Sequence, residues 1–253
     1  MVVGHITKTG QVNNSFYRHL GDRWYTAQDD PIALLRAESR ARNPWIARNI
    51  RRAFPSGGVK VLDIGCGGGF LSNYLASAGF TVTGLDASAE SLVIARRYDA
   101  TGHAHYVMGD AYDLPYAGGE FQAACAMDFL EHVDEPQRAL AEAARILQPG
   151  GLLFFATFNR NFISWLFGVK GVEWFVRNTP PRMHELSHFI KPAELRSMCE
   201  ESGLRVNELR GFAPRFNGAF WRLLLTGVVR DDFSFQFRRS ALTGYIGMAV
   251  KSE

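Results

Sequence analysis

From residue 59 to residue 157, short apolar runs alternate with segments whose apolar residues recur at helical spacing, and this alternation leaves few folds open. Strands that are apolar throughout must be covered on both faces, and helices between consecutive strands make the strands parallel. Strands are expected at 60–64, 81–85, 105–109, 121–127 and 152–157, with helices at 70–78, 89–98 and 136–147. Pro149-Gly150-Gly151 stops the last of these helices and turns the chain. Two closing strands, 204–212 and 242–250, complete the expectation of an α/β fold with a doubly wound, mostly parallel seven-stranded sheet.

The 253 residues suit one large core with appendages. Residues 1–55 are expected to form an N-terminal helical cover, with 13–52 mainly helical over the carboxyl edge of the sheet. Residues 56–253 form the rest, with inserts at about 161–188 and 213–241 and a last helix at 191–202. A formal net charge of +3 does not imply a nucleic-acid partner, and none is expected. Arginines gather at 36–52 and again from 160 to 239, where they interleave with Trp and Phe, a pattern that suits an anionic lipid surface as well as RNA. Cys66, Cys125 and Cys199 form neither a CxxC pair nor a cluster with His, which fits a reducing compartment. With no leader pattern in the first twenty residues and no run of eighteen apolar residues, a cytoplasmic setting is expected, with contact at the inner face of the cell membrane as an extension of it.

Ligands of open α/β sheets bind beyond the carboxyl ends of the strands, and the first such end here is Asp63-Ile64-Gly65-Cys66-Gly67-Gly68-Gly69. Gly65, Gly67 and Gly69 permit a sharp turn and a close approach to a ligand. A nicotinamide dinucleotide fingerprint would need a further glycine where Phe70 stands. Asp63, two residues before the first glycine, would repel a pyrophosphate and attract an ammonium group. S-adenosylmethionine has an ammonium, a sulfonium and no phosphate, and is the cofactor these residues imply. Asp86, at the end of the second strand, can accept hydrogen bonds from both ribose hydroxyls, and Asp110, after the third, is placed for the adenine amino group. One aspartate at a strand end is as readily a helix cap, whereas three at successive ends beside one glycine loop point to a nucleoside. Cys66, Ala87 and Ala111 lie beside these residues in the candidate cofactor set.

Several segments together resemble a known family. They are Phe16-Tyr17, Gly21-Asp22-Arg23-Trp24-Tyr25, the run Val61 to Gly69, Met127-Asp128-Phe129-Leu130-Glu131-His132-Val133, Thr157-Phe158-Asn159-Arg160-Asn161, and Phe189-Ile190-Lys191-Pro192-Ala193-Glu194-Leu195. Up to about Gly211 the chain is similar to the ubiquinone-biosynthesis O-methyltransferases, class I enzymes that use S-adenosylmethionine to methylate polyprenyl catechols and demethylubiquinol. The resemblance implies that Arg42, Gly65, Asp86 and Met127 contact the cofactor and that the acceptor is a lipophilic phenol or quinol. From Ala213 onward it gives no guide. Two other functions are weighed against it: methylation of a soluble small molecule, and a non-catalytic S-adenosylmethionine-binding scaffold.

A phenol with a pKa near 10 is ionised in only about one molecule in a thousand at pH 7, a handicap of roughly 4 kcal/mol. Asp128, Glu131 and His132 are spaced i, i+3, i+4, and one helical turn would bring them to a common face as the catalytic group. They could hold a divalent cation, Mg²⁺ or Zn²⁺, that lowers the acceptor's pKa, and the resemblance carries an acid-x-x-Glu-His pattern there. Alternatively His132 is a metal-free general base, or Glu131 and His132 merely cap a helix or its loop. His184-Glu185-Leu186-Ser187-His188 matches the His-Glu-x-x-His pattern of zinc proteases, but the glycine loop accounts for far more of the chain; His184 or His188 is instead expected near the acceptor. The aromatic stretch 161–177 is too apolar for a solvated helix and too short for a bilayer. It either packs over the substrate pocket or, as part of 161–182 with Arg160, Arg177 and Arg182 beside it, lies on a membrane surface.

Overall fold

In the computed structural model, residues 13–252 are described; residues 1–12, where the expected N-terminal cover begins, and residue 253 lie outside the described residues. The chain opens with α1 (Ser15–Arg18), α2 (Arg23–Thr26) and the long α3 (Ile32–Ala53). There follow β1 (Lys60–Ile64), α4 (Phe70–Ser77), β2 (Thr81–Asp86), α5 (Ala89–Arg97), β3 (His105–Met108) and β4 (Phe121–Met127). A 3₁₀ turn, Leu130–His132, leads to α6 (Pro136–Ile146) and β5 (Leu147–Phe158). Beyond it, α7 (Phe162–Ser164) runs through a π-helical stretch, Trp165–Lys170, into α8 (Gly171–Phe175). The chain ends with a second 3₁₀ turn (Leu186–His188), α9 (Pro192–Glu201), β6 (Leu204–Pro214), α10 (Gly218–Thr226), β7 (Phe235–Arg238) and β8 (Gly244–Lys251).

The sheet order is β3-β2-β1-β4-β5-β8-β6-β7. The five consecutive strands of the first half are parallel, and β8 enters antiparallel between β5 and β6. The sheet has eight strands among the described residues rather than the expected seven. The extra one, β7, comes from the insert 213–241 and pairs antiparallel with the end of β6. Its sequence, Phe-Gln-Phe-Arg, alternates apolar and polar residues over four positions, too short a signal to separate from the aromatic background around it.

Successive residues of the central strands feed opposite layers. Val61, Cys125 and Phe154 join Ile46 and Ile50 of α3 and Leu71 and Leu75 of α4. Leu62, Ala124 and Phe155 join Leu140 of α6 and Leu195 and Cys199 of α9. The central strands are apolar on both faces for this reason. α1 and α2 carry Tyr17 and Trp24 to the carboxyl edge, while α3 packs along one face beside α4. β5 starts at Leu147, not after the Pro-Gly-Gly turn. Phe121 pairs with Leu147 and Ala123 with Leu152, so the turn, with Gly150 at φ 74°, is taken up as a bulge within the strand. All three cysteines are free and buried. No described helix is long and apolar enough to cross a membrane.

Candidate active site

The turn after β1 is fixed by backbone bonds to its neighbour: the Gly65 and Cys66 N–H groups both donate to the Leu85 carbonyl, at 2.8 and 3.0 Å. The Gly67 N–H donates to Asp86 Oδ2 at 2.8 Å, and the other Asp86 oxygen accepts from the Ser88 N–H at 2.8 Å. Asp86 therefore ties the first loop to the second before any ligand arrives, and burial raises its pKa. Gly65 and Gly67 have φ of 69° and 52°, a left-handed backbone in which a side chain is strained. A Cβ at Gly67 would come within 2.6 Å of the Trp24 indole, and one at Gly65 would run into the Phe129 ring. The close approach expected of a ligand is made, at these two positions, by the protein's own aromatic rings.

Asp63 is buried and accepts a hydrogen bond from Ser72 Oγ at 2.6 Å; burial pushes its pKa up to about 6. Arg42, on α3, is also buried and forms ion pairs with Asp128 and, at 3.4 Å, with Glu38. Burial alone would lower the arginine's pKa, but Asp128 and Glu38 together hold it above its ordinary value. Among the described residues, Arg42 Nε and Trp24 Nε1 are buried donors without a hydrogen-bond partner. Both residues line the same cavity as Asp63 and Asp86. Acceptors for an ammonium group and unused donors for a carboxylate thus stand together, which is what the amino-acid end of S-adenosylmethionine requires.

All ten candidate cofactor residues, Arg42, Asp63, Gly65, Cys66, Gly67, Asp86, Ala87, Asp110, Ala111 and Met127, line one cavity of about 1540 Å³. Sequence reasoning missed Trp24, Tyr17 and Glu38, which line it too. Trp24 was signalled only within the family-like Gly-Asp-Arg-Trp-Tyr segment, Tyr17 only within Phe-Tyr, and Glu38 by nothing, because packing of the N-terminal helices onto loops that lie far away in the sequence leaves no local pattern.

The expected common face of Asp128, Glu131 and His132 does not form. Asp128 precedes the 3₁₀ turn with φ 51°, so it falls outside any helical repeat, and its carboxylate turns to Arg42. Glu131 is buried with the Thr157 hydroxyl beside it and does not line the cavity. Burial, then the Asp128 carboxylate, pushes its pKa up to about 8, so it carries a proton at neutral pH. Burial and Asp128 also raise the pKa of Glu38. His132 does face the cavity. Among the described residues no group of three His, Cys, Asp or Glu side chains is arranged to hold a metal ion, so the trio as placed does not fit one.

The Asn14 amide contacts His132 twice. Its Nδ2 donates to the His132 carbonyl and its Oδ1 meets His132 Nδ1, each at 3.1 Å. With the amide oriented by the first bond, the second requires the proton on Nδ1 and leaves the Nε2 lone pair free. Asn14 stands at the N-cap of α1 yet makes no capping bond. Tyr17 packs edge-on against the His132 ring, and His184 lies 5.6 Å from it between ring centres. Burial, then His184 and His188, hold the His132 pKa down to about 3, which keeps the imidazole neutral. His184 lines the cavity. His188 is buried 3.6 Å from Asp134 instead, and the turn Leu186–His188 is 3₁₀, so the two histidines do not share an α-helical face as a zinc helix would require.

The far half of the cavity is apolar. Leu166, Phe167 and Val172 of the α7 to α8 segment form one wall, and Phe220, Leu223 and Leu224 of α10 another. Phe162, Phe167 and Trp174 are exposed, and the last two also line the cavity.

A family model described as a methyltransferase domain matches residues 62–155. A ubiquinone biosynthesis O-methyltransferase of Thiobacillus denitrificans is 42% identical over 172 residues, 67% of this chain and 74% of the relative. One from Aromatoleum aromaticum is 38% identical over 203 residues, 78% of this chain and 83% of the relative. Among solved structures, magnesium protoporphyrin IX methyltransferase from Synechocystis PCC 6803 with bound SAH aligns at a TM-score of 0.57 and 18% identity, covering 97% of this chain and 90% of its own. A SAM-dependent methyltransferase from Methanosarcina mazei aligns at 0.54 and 22%, covering 77% and 93%. At such identities the structural likeness shows the shared fold.

Proposed function

The chain belongs to the ubiquinone biosynthesis O-methyltransferases, and from that premise we propose that its cavity passes a methyl group from S-adenosylmethionine to a phenolic hydroxyl of a prenylated catechol or demethylubiquinol-like ubiquinone precursor. The observation that carries this reading is the continuity of the cavity, which runs from the Asp63, Gly67 and Asp86 loops, past His132, to apolar walls. When bound, the cofactor supplies a methyl group activated by a sulfonium.

The protein's residues divide the remaining tasks. Asp63 takes the ammonium of the cofactor, and Arg42 and Trp24 direct donors at its carboxylate. Asp86 accepts from the ribose, and Asp110 and Ala111 border the adenine, with Cys66, Ala87 and Met127 closing the pocket. His132 receives the hydroxyl proton at Nε2, and Asn14 fixes the tautomer that makes this atom an acceptor. Its low basicity times the transfer to formation of the new C–O bond, when the acidity of the phenolic oxygen climbs. A divalent cation at Asp128, Glu131 and His132 would require Asp128 to leave Arg42 and Glu131 to turn out of the core, so no step is routed through one. A loss of turnover on chelation that Mg²⁺ restores would mean that these carboxylates regroup around an ion.

Cofactor labelled in its methyl group, incubated with a farnesylated catechol, is expected to label the catechol oxygen. His132→Ala is expected to lower kcat by about 10²- to 10³-fold, the usual contribution of a general base, with cofactor affinity within about twofold of wild type. Absence of transfer to any prenylated catechol, under conditions where the demethylated cofactor binds, would overturn the acceptor assignment; an unchanged kcat would remove His132 from the chemistry.

We also propose that the acceptor arrives from a membrane surface along 161–182, where exposed Phe162, Phe167 and Trp174 have Arg177 and Arg182 nearby in the chain. Flotation with anionic vesicles is expected to carry the protein upward with the lipid, and less so with neutral vesicles. Protein left at the bottom of the gradient in both would refute it.

A further inference from the structure

We propose that the insert 213–241 is a binding subsite for the isoprenoid tail of the acceptor, and that it sets which tail lengths are accepted. The proposal deepens the functional reading above and rests on it for the identity of the tail.

On α10, Phe220, Leu223 and Leu224 follow i, i+3, i+4 spacing and line the cavity, and Phe220 and Leu223 pack with Phe212 of β6, with Phe233 and with Phe235 of β7, which line it too. Drug-sized ligands occupy pockets of about 300–1,000 Å³, so 1540 Å³ leaves room beyond a cofactor and one phenolic ring. That room is lined mainly by apolar side chains, with Arg238 and Ser240 also on the cavity, so an occupant must offer apolar surface over most of its length. An isoprenoid chain does so. Its aromatic head would lie by His132, because the cavity joins the two regions.

The wall is built in rather than draped. The Val229 N–H donates to the Gln28 carbonyl at 2.7 Å, and Arg40 donates to the carbonyls of Asp231 and Phe233 at 3.1 and 3.2 Å. Gly227 ends α10 in the left-handed region at φ 69°, and the Arg177 stem packs so closely on it that a Cβ would come within 2.7 Å. The Arg177 N–H also donates to the Gly227 carbonyl at 3.3 Å. α10 is thereby pinned both to the N-terminal segment and to the end of α8. A preformed apolar wall binds a flexible chain at a lower ordering cost than a loop that must itself fold on binding.

The test uses the full chain with catechols bearing no tail, a geranyl tail and a farnesyl tail, together with farnesol as a probe of tail binding alone. In the wild type, KM is expected to fall at least tenfold from the tail-less to the farnesylated catechol, and farnesol to bind by calorimetry. Leu223→Trp, which fills the wall, is expected to weaken farnesol binding at least tenfold and to abolish the dependence of KM on tail length, while the demethylated cofactor binds as in the wild type. Phe220→Ala, which only removes atoms, is expected to shift the preference toward longer tails. Farnesol affinity unchanged in both variants, or KM independent of tail length in the wild type, overturns the proposal. Absence of turnover with every catechol, while farnesol binds and Leu223→Trp weakens it, sinks the acceptor assignment and leaves the subsite standing.

Discussion

Asp86→Ala is expected to weaken binding of S-adenosylmethionine and of its demethylated product by at least a hundredfold. The carboxylate accepts from the Gly67 and Ser88 N–H groups, so its removal strands two backbone donors at the mouth of the cofactor cavity in addition to losing its own contact with ligand. A stranded donor costs about 1–3 kcal/mol, and the lost charged hydrogen bond is of similar size. Each 1.4 kcal/mol is tenfold in affinity, so the lost ligand contact, together with the part of the loop's loosening that binding must reverse, amounts to a hundredfold or more. Asp86→Asn should fall between the two, because its amide oxygen can still accept one N–H while its NH₂ group faces the other. Calorimetric titration with the demethylated product, alongside thermal melts showing that the fold persists, checks both variants. Wild-type affinity in Asp86→Ala would mean that the loop holds its shape without this carboxylate and that the cofactor does not use it.

Arg42→Met is expected to cost roughly 3–5 kcal/mol of stability, the usual penalty for removing one partner of a buried ion pair. For a chain of this size that is a drop in Tm of about 10 °C. The arginine is the counter-ion for Asp128 and Glu38 and also bears on Asp63 and Glu131. The defect should be smaller at pH 5 than at pH 8, because unpaired buried carboxylates can take up protons at the lower pH. Glu131 allows a companion test with the sign fixed in advance. Its ordinary pKa is 4.5, and in the fold it rises to about 8. Between these values the folded state holds a proton that the unfolded state has released, so stability falls as pH rises, by up to about 1.4 kcal/mol per unit. Glu131→Gln removes that slope and is expected to melt higher than wild type by a margin that grows from pH 5 to pH 8. Parallel melting curves across this range would show that Glu131 is not held protonated.

The alternation of apolar runs and helices, the glycine turn, and the acids at three strand ends are local features. Each lies within a few residues of the next, and each has the same physical meaning in any protein. From them followed the α/β layering, the alternation of helices with the first five strands, and the cofactor candidates that line one cavity. The chemistry between Asp128 and His132 was not readable in this way. Its spacing fits a helical turn, but Asp128 is left-handed and followed by a 3₁₀ turn, and its carboxylate pairs with Arg42, 86 positions earlier in the sequence. Of the arginines that gather at 36–52, Arg36, Arg40 and Arg42 are taken up by acceptors of the protein itself.

The sequence by itself determined that this chain winds a parallel sheet and ends its first strand in a sharp glycine turn beside an acid, because strand burial and glycine conformation are settled by near neighbours. Only the tertiary structure decided that Trp24 and Phe129 occupy the space the glycines leave, that Glu131 turns inward while His132 faces the cavity, and that the insert 213–241 supplies both an eighth strand and an apolar wall. These outcomes depend on which distant side chains meet once the core has closed, and no residue records its distant partners in its own neighbourhood.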